Sequence, residues 1–137
     1  MRVALTDDLQ TCHDLRRRVF IDEQGVTEAE ELDGLDGNAM HLLAWIDDKP
    51  IGTARMFHED GIGKIGRVCV LAEARGTGAG AALMRAAVQA LRDVGARQAK
   101  LSSQTHALPF YEKLGFVAYG PEYPDAGIPH RDMVLEL

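Results

Sequence analysis

A glycine-rich segment in the middle of the chain has the composition of an anion-binding loop. It runs from Arg75 to Gly80 as Arg-Gly-Thr-Gly-Ala-Gly, after an apolar run and before a stretch with helical periodicity. Small residues let a ligand approach the backbone amides, and the unpaired N–H groups and dipole of a helix start favour a phosphate. The spacing therefore predicts a pyrophosphate-binding turn between a strand and a helix.

Two common nucleotide loops fit this segment less well. A Walker loop is excluded because no Gly-Lys-Ser/Thr follows the glycines. The dinucleotide fingerprint G-x-G-x-x-G/A does match residues 76–81, but it requires an acidic residue at the end of the following strand. The next predicted strand, Ala99 to Gln104, ends without a carboxylate. A nucleotide-dependent oxidoreductase is therefore a minor alternative.

Two spaced motifs carry a resemblance to a known family. Arg75-x-x-Gly78-x-Gly80 resembles the Q/R-x-x-G-x-G/A signature of the GNAT (GCN5-related N-acetyltransferase) superfamily, and residues 68–70 resemble the strand before it. Residues 104–116 resemble its second motif, N-x-x-A-x-x-x-Y-x-x-x-G-F, with Gln104 where many relatives have Asn. Residues 15–24 and 127–130 resemble the ElaA/YjcF-like branch. The resemblance covers most of the chain.

This resemblance implies an acetyl-CoA-dependent N-acetyltransferase that modifies a primary amine of a small molecule by direct attack in a ternary complex. No metal is expected to be required. The matching strand would bind the pantetheine through main-chain groups and polarise the thioester carbonyl, while the matching loop would bind the pyrophosphate. The implied cofactor-binding residues are Val68, Cys69, Val70, Arg75, Gly76, Thr77, Gly78, Ala79, Gly80 and Gln104.

The same resemblance and the chemistry of amines indicate two catalytic residues. Tyr111 matches the family tyrosine that protonates the departing thiolate, and a phenol with a pKa of about 10 is protonated at neutral pH. An alkylamine is almost fully protonated at pH 7, so a base such as His130 is useful. A merely hydrogen-bonded His130 is an equal alternative, with Glu23 or Glu30 as other bases. A non-catalytic acyl-CoA-binding or sensing protein is the alternative function.

Charged residues give opposing indications about the acceptor. An acidic run could line an entrance for a cationic amine, or it could be a solvated loop: Glu28, Glu30, Glu31, Asp33 and Asp36. Arg55 and Arg67, on adjacent predicted strands, would instead favour a substrate that carries a carboxylate. The sequence leaves this choice open.

Three other side chains have the context of packing residues. His41 lies in an apolar strand, Met40 to Ile46, and is predicted to be a hydrogen-bonded core histidine. Cys12 and Cys69 are too few for a disulfide framework or a zinc site, so reduced, buried thiols are expected.

Periodicity predicts the elements that position these groups. Thr6 is expected to cap a first helix, and the helix after the glycine loop is expected to end at Gly95. A further helix is expected from Ala107 to Gly115. Two closing strands, 116–119 and 131–136, would be joined by a long proline-containing segment. The predicted fold is an α/β (α+β) GNAT-type mixed, mostly antiparallel sheet of six to seven strands flanked by about four helices.

Length and charge limit the remaining possibilities. The 137 residues are expected to form a single domain, residues 1–137. A formal charge of −6 without a basic stripe argues against nucleic acid as a partner. No apolar run reaches the roughly 18 residues of a membrane span, and no leader pattern opens the sequence, so a cytoplasmic protein is expected. Whether it forms a homodimer is left open.

Overall fold

Seven strands form one sheet in the order β1-β2-β3-β4-β5-β7-β6 in the computed structural model, which describes residues 1–137. Only β4 and β5 pair in parallel; the other neighbours are antiparallel. The predicted fold class is confirmed. The strands are β1 (Arg2–Thr6), β2 (Met40–Ile46), β3 (Lys49–Glu59), β4 (Ile62–Val70), β5 (Gln98–Gln104), β6 (Val117–Asp125) and β7 (Ile128–Glu136).

Four α-helices and several short helical turns accompany the sheet. The helices are α1 (Leu9–Arg16), α2 (Glu28–Glu31), α3 (Ala79–Asp93) and α4 (Leu108–Glu112). A π-helical segment (Arg17–Glu23) continues α1, and 3-10 turns lie at Asp36–Asn38, Ala72–Ala74 and Thr105–Ala107. None of the helices has both the length and the apolar composition needed to cross a membrane.

The helices pack on opposite faces of the sheet. On the α3 face, Leu83, Ala87 and Leu91 recur at helical spacing and are buried against the sheet. Gly63 allows this close approach, because a Cβ at that position would lie 2.5 Å from the Leu91 side chain. On the α1 face, a smaller apolar cluster that includes Leu15 packs α1 against β2 and β4.

The first helix begins differently from the prediction. Asp8, not Thr6, is its N-cap, and the Asp8 carboxylate accepts a hydrogen bond from the Thr11 N–H at 3.1 Å. Thr6 still belongs to β1, where it pairs with His41. Its hydroxyl oxygen accepts from the Asp8 N–H at 3.1 Å, so it orders the turn before the helix.

The C-terminal part forms a long hairpin, so the predicted long join is wrong. β6 and β7 are connected by Ala126 and Gly127 alone, both with positive φ angles of 52° and 76°, as a tight hairpin turn requires. Pro121 and Pro124 are tolerated because β6 is an edge strand with a register shift between Tyr119 and Tyr123. The predicted helix near this hairpin is also shorter, since α4 covers only Leu108–Glu112.

A cleft opens in the sheet where β4 and β5 separate. The two strands pair only between residues 62–64 and 98–100, although they continue to Val70 and Gln104. A bulge lies in this part of β4, because Ala54 of β3 is opposite both Arg67 and Val68. Arg67 has a positive φ of 50°. The β4–β5 cleft therefore exposes an unpaired strand edge in the middle of the sheet.

Candidate active site

The glycine loop ends in a helix start that has no cap. Gly78, with a φ of 85°, is the N-cap of α3, and as a glycine it supplies no capping side chain. The first hydrogen bond runs from the Ala82 N–H to the Gly78 carbonyl at 3.0 Å, so the N–H groups of residues 79–81 lack an intrahelical acceptor. No acidic residue lies in the first turn. These amides form a favourable position for an anion.

The Arg75 side chain is already engaged by a carboxylate. Its two terminal nitrogens donate to Glu23 at 2.6 Å and 2.8 Å, and its Nε donates to the Val70 carbonyl at 3.2 Å. The hydrogen bond from Arg75 lowers the pKa of Glu23. A carboxylate held on both oxygens is a poor proton acceptor, which removes Glu23 as a good base. The groups at this loop that have no partner within the chain are therefore mainly backbone N–H groups.

The strand residue Cys69 is a packing residue, as predicted. It is buried on the α1 face together with Cys12, and both thiols are free. Burial raises the pKa of the Cys69 thiol to about 12. The reactive thiolate is therefore scarce at neutral pH.

We expect Cys69 to resist alkylation in the folded protein. At pH 8, a thiol with a pKa of about 12 is ionised in about one molecule in 10,000, and the side chain is also buried. Mass spectrometry after iodoacetamide treatment should find Cys69 unmodified in native protein and modified in urea. Rapid labelling of the native protein would show that the thiol is accessible and ionised.

Tyr111 lies on the α3 face in an aromatic group. Its ring makes edge-on contacts with Phe110 and Phe116, at centroid distances of 4.9 Å and 6.2 Å, and packs against the main core. Burial raises the pKa of the Tyr111 phenol to about 12. The hydroxyl therefore retains its proton across the range in which proteins are usually assayed.

His130 lies on the other face of the sheet. Its neighbour in β5 is Gln104, and strand alternation directs both side chains away from the core that contains Leu101 and Met133. The His130 Nδ1–H donates to the Ile128 carbonyl at 2.7 Å, which leaves the Nε2 lone pair available. The ring stacks on Tyr123 with a centroid distance of 6.3 Å.

A small cavity adjoins His130. It has a volume of about 100 Å³ and is called the acceptor pocket below. Phe20 of the π-helical segment, Gln24 just after that segment and Glu30 of α2 line one side. Asp125 and Ile128 of the β6–β7 hairpin line another. The β4 bulge and the end of β5 complete it, so the pocket lies where the β4–β5 cleft reaches the α1 face.

The Gln104 amide is held on this side of the sheet. Its Nε2 donates to the Gln24 Oε1 at 3.0 Å, and its Oε1 lies 2.7 Å from the His106 Nε2. The predicted contact of Gln104 with coenzyme A stays a prediction. Local spacing could not indicate Gln24 as its partner, because the two residues are 80 positions apart.

The acidic run is mostly paired with buried arginines. Arg16, only 1% exposed, donates to Glu31 at 2.5 Å and to Asp36 at 3.0 Å. Arg55 donates to Asp33 at 2.9 Å and to Asp36 at 3.0 Å. The hydrogen bond from Arg55 lowers the pKa of Asp33 to about 2. Burial alone would raise the pKa of Asp36, but the hydrogen bonds from Arg16, His13 and Arg55 outweigh it and lower that pKa.

This network changes both predictions about the acceptor. The run is not simply a solvated loop, because Glu31 is buried and two further carboxylates are bound to arginines. Arg55 is paired with two carboxylates, and Arg67 is partly engaged, so neither arginine is an unpaired charge for a substrate carboxylate. The Arg67 Nη2 donates to the carbonyls of Glu30 and Glu31 at 3.1 Å and 3.2 Å and lies 3.3 Å from Asp33.

His41 is buried beside the same network, as predicted. Its Nε2 lies 3.0 Å from the Asp36 carbonyl oxygen, but its Nδ1 has no hydrogen-bond partner in the chain. The prediction of a core histidine is thus correct for its position and incomplete for its hydrogen bonding.

Comparison with known proteins agrees with this arrangement. The family model for the acetyltransferase (GNAT) domain matches residues 8–137. The chain is 40% identical to the uncharacterized N-acetyltransferase YjcF of Bacillus subtilis strain 168, covering 95% of this chain and 94% of that protein.

Two solved structures show the same fold over almost their whole length. An acyl-CoA N-acyltransferase from Pseudomonas aeruginosa is 33% identical with a TM-score of 0.86, covering 98% of this chain and 99% of that one. Escherichia coli ElaA is 27% identical with a TM-score of 0.85, covering 98% and 100%. The chain therefore belongs to the GNAT acetyltransferase family.

Proposed function

We propose that this protein is an acetyl-CoA-dependent N-acetyltransferase that acetylates a primary amine of a small molecule by direct attack in a ternary complex. One arrangement carries this proposal. The uncapped helix start and Tyr111 lie on the α3 face, His130 and the acceptor pocket lie on the α1 face, and the β4–β5 cleft opens the sheet that separates the two faces. Two substrates could therefore meet through a gap in the sheet.

The residues around the glycine loop fit coenzyme A. The free amides of residues 79–81 suit a pyrophosphate, and a Cβ built on Gly76 or Gly78 would meet no atom within 4 Å, so the loop surface is open. The unpaired edge of β4 at residues 68–70 offers main-chain groups for an extended pantetheine. When bound, coenzyme A would supply the acetyl group as a thioester. The similarity to an acyl-CoA N-acyltransferase supports this ligand.

The chain's own residues supply the proton transfers. The Tyr111 hydroxyl holds its proton, since the pKa of this phenol is about 12, and a protonated phenol can donate to a thiolate that leaves. On the opposite face, the His130 Nε2 can accept a proton from an ammonium group in the acceptor pocket, because Nδ1 is committed to the Ile128 carbonyl. Positioning both substrates accounts for much of the remaining rate enhancement.

Ligand binding at the loop tests the choice of cofactor. Coenzyme A at 100 times its Kd should stabilise the protein by about 2.7 kcal/mol in a thermal-shift titration, whereas NAD should give no protection.

We expect Thr77→Asp to weaken coenzyme A binding at least about tenfold, because it places a carboxylate beside the pyrophosphate position. Thr77→Asn is the matched neutral control, since it also removes the hydroxyl that donates to the Ala74 carbonyl. Equal protection by NAD, or equal binding by both variants, would contradict the proposal.

A further inference from the structure

Two of the carboxylates that line the acceptor pocket form no ion pair within the chain. Of the charged side chains that line it, Glu31 is bound to Arg16, and Arg67 lies within ion-pair distance of Glu31 and Asp33. Glu30 and Asp125 also line the pocket, but neither belongs to any ion pair. The charge that the pocket presents to a ligand is therefore negative.

The two free carboxylates approach the pocket from different parts of the fold. Glu30 is on α2, where its Oε1 accepts from the Thr27 N–H and hydroxyl at 3.3 Å and 2.9 Å, which leaves Oε2 unengaged. Asp125 is the last residue of β6, and its side chain is exposed. The walls between them include the apolar side chains of Phe20, Val26 and Ile128. Apolar side chains beside unpaired carboxylates suit an alkyl chain that ends in a cation.

The strand register sets the length of such a ligand. Tyr123 pairs with His130, and Asp125 pairs with Ile128, so Asp125 lies two residues along β6 from the partner of His130. Two residues of a strand span about 7 Å and place both side chains on the same face. A short alkyl chain could therefore join an amine at His130 to a cation at Asp125. The narrow volume of about 100 Å³ disfavours a bulky ring system.

From these observations we infer that the acceptor is a slender aliphatic amine with a second positive charge, such as an alkyl diamine. This inference rests on the proposed acetyl transfer. The reacting nitrogen lies beside the His130 Nε2, and the distal ammonium lies between Glu30 and Asp125. Arg55 is paired with two carboxylates, and Arg67 lies within ion-pair distance of Glu31 and Asp33. Neither arginine is therefore an unpaired charge for a substrate carboxylate. Attraction by the carboxylates also concentrates cationic amines at the pocket.

A larger groove on the α1 face does not favour one charge of ligand as clearly as the acceptor pocket does. It has a volume of about 870 Å³ and lies mainly over β4 and β5. Lys64 and Lys100 line it, but so do Glu59, Asp60 and Asp132, so both signs of charge are present. The acceptor pocket, in contrast, combines a net negative charge with direct access to His130.

Three amines with four carbon atoms each test the inference: putrescine, n-butylamine and γ-aminobutyrate, which differ in whether the distal group is cationic, apolar or anionic. We expect kcat/KM for acetylation to fall in that order, with putrescine at least about tenfold above n-butylamine because of its paired distal charge. Asp125→Asn and Glu30→Gln should each reduce the putrescine-to-butylamine ratio of kcat/KM several-fold. Both substitutions are near-isosteric, and the glutamine introduced on α2 can still complete the capping box with Thr27, so folding should be preserved.

Glu122→Gln is the matched control, because Glu122 is an exposed β6 carboxylate that does not line the pocket. It should leave the ratio unchanged. Equal kcat/KM for the three amines, or a preference for γ-aminobutyrate, would overturn the acceptor class and leave acetyl transfer intact. Coenzyme A binding without turnover of any of the three would count against acetyl transfer to small amines and against the acceptor class with it.

Discussion

Replacing Tyr111 with phenylalanine is expected to lower kcat for acetyl transfer about 100-fold or more, while the affinity for coenzyme A changes little. The substitution removes one hydroxyl and keeps the ring that packs between Phe110 and Phe116. Burial holds the pKa of Tyr111 at about 12, so the wild-type phenol is protonated and able to donate at every pH below that value. Steady-state release of free thiol from acetyl-CoA, combined with a coenzyme A titration, measures both quantities.

Tyr119→Phe is the control for this experiment. Tyr119 is an exposed tyrosine of β6, and its contact with Lys100 uses the ring, which phenylalanine retains. Its kcat should match that of the wild type. An unchanged kcat for Tyr111→Phe would remove this residue as the proton donor, and equal losses in both variants would indicate a general effect on the fold.

Removing the buried carboxylate of Glu31 should have the largest effect on stability. Glu31→Ala leaves the buried Arg16 guanidinium with only Asp36 as an ion-pair partner, and breaking a buried pair costs about 3 to 5 kcal/mol. Because Asp36 remains, we expect a loss of about 3 kcal/mol. Urea denaturation followed by circular dichroism gives the free energy of unfolding.

Glu28→Ala provides the contrast on the same short helix. Glu28 pairs with Arg17 at 2.8 Å, but the two side chains are 61% and 50% exposed. An exposed pair contributes about 0 to 1 kcal/mol, so this variant should be close to wild type. Similar losses for Glu31→Ala and Glu28→Ala would show that burial of the Arg16 pair does not govern stability here.

The local structure of segments whose residues are close together in the sequence was predictable. The helix after the glycine loop lies where its spacing predicts, and the helix around Tyr111 is in the predicted place although α4 ends at Glu112. The β6–β7 hairpin was not predictable in the same way. Its prolines argue against a strand, and only the edge position of β6 in the completed sheet removes that objection.

The acceptor side was the least predictable part, because its contacts join residues that are far apart in the sequence. Arg16 and Asp36 are 20 positions apart, Arg55 and Asp33 are 22 apart, and Gln104 and Gln24 are 80 apart. Each side chain alone suggests a ligand of opposite charge. Only the fold shows that the arginines and most of the acidic run bind one another, which leaves Glu30 and Asp125 as the unpaired charges of the pocket.

The most direct test of the proposed activity is to follow both products of one reaction. Acetyl-CoA and putrescine are incubated with the protein, and the acetylated amine is quantified by mass spectrometry beside the free thiol. Acetyl transfer predicts that both products form in a one-to-one ratio, and only when protein and amine are both present. Tight binding of coenzyme A with intact acetyl-CoA, for this amine and for a broad panel of primary amines, would contradict it and indicate a binding or sensing protein.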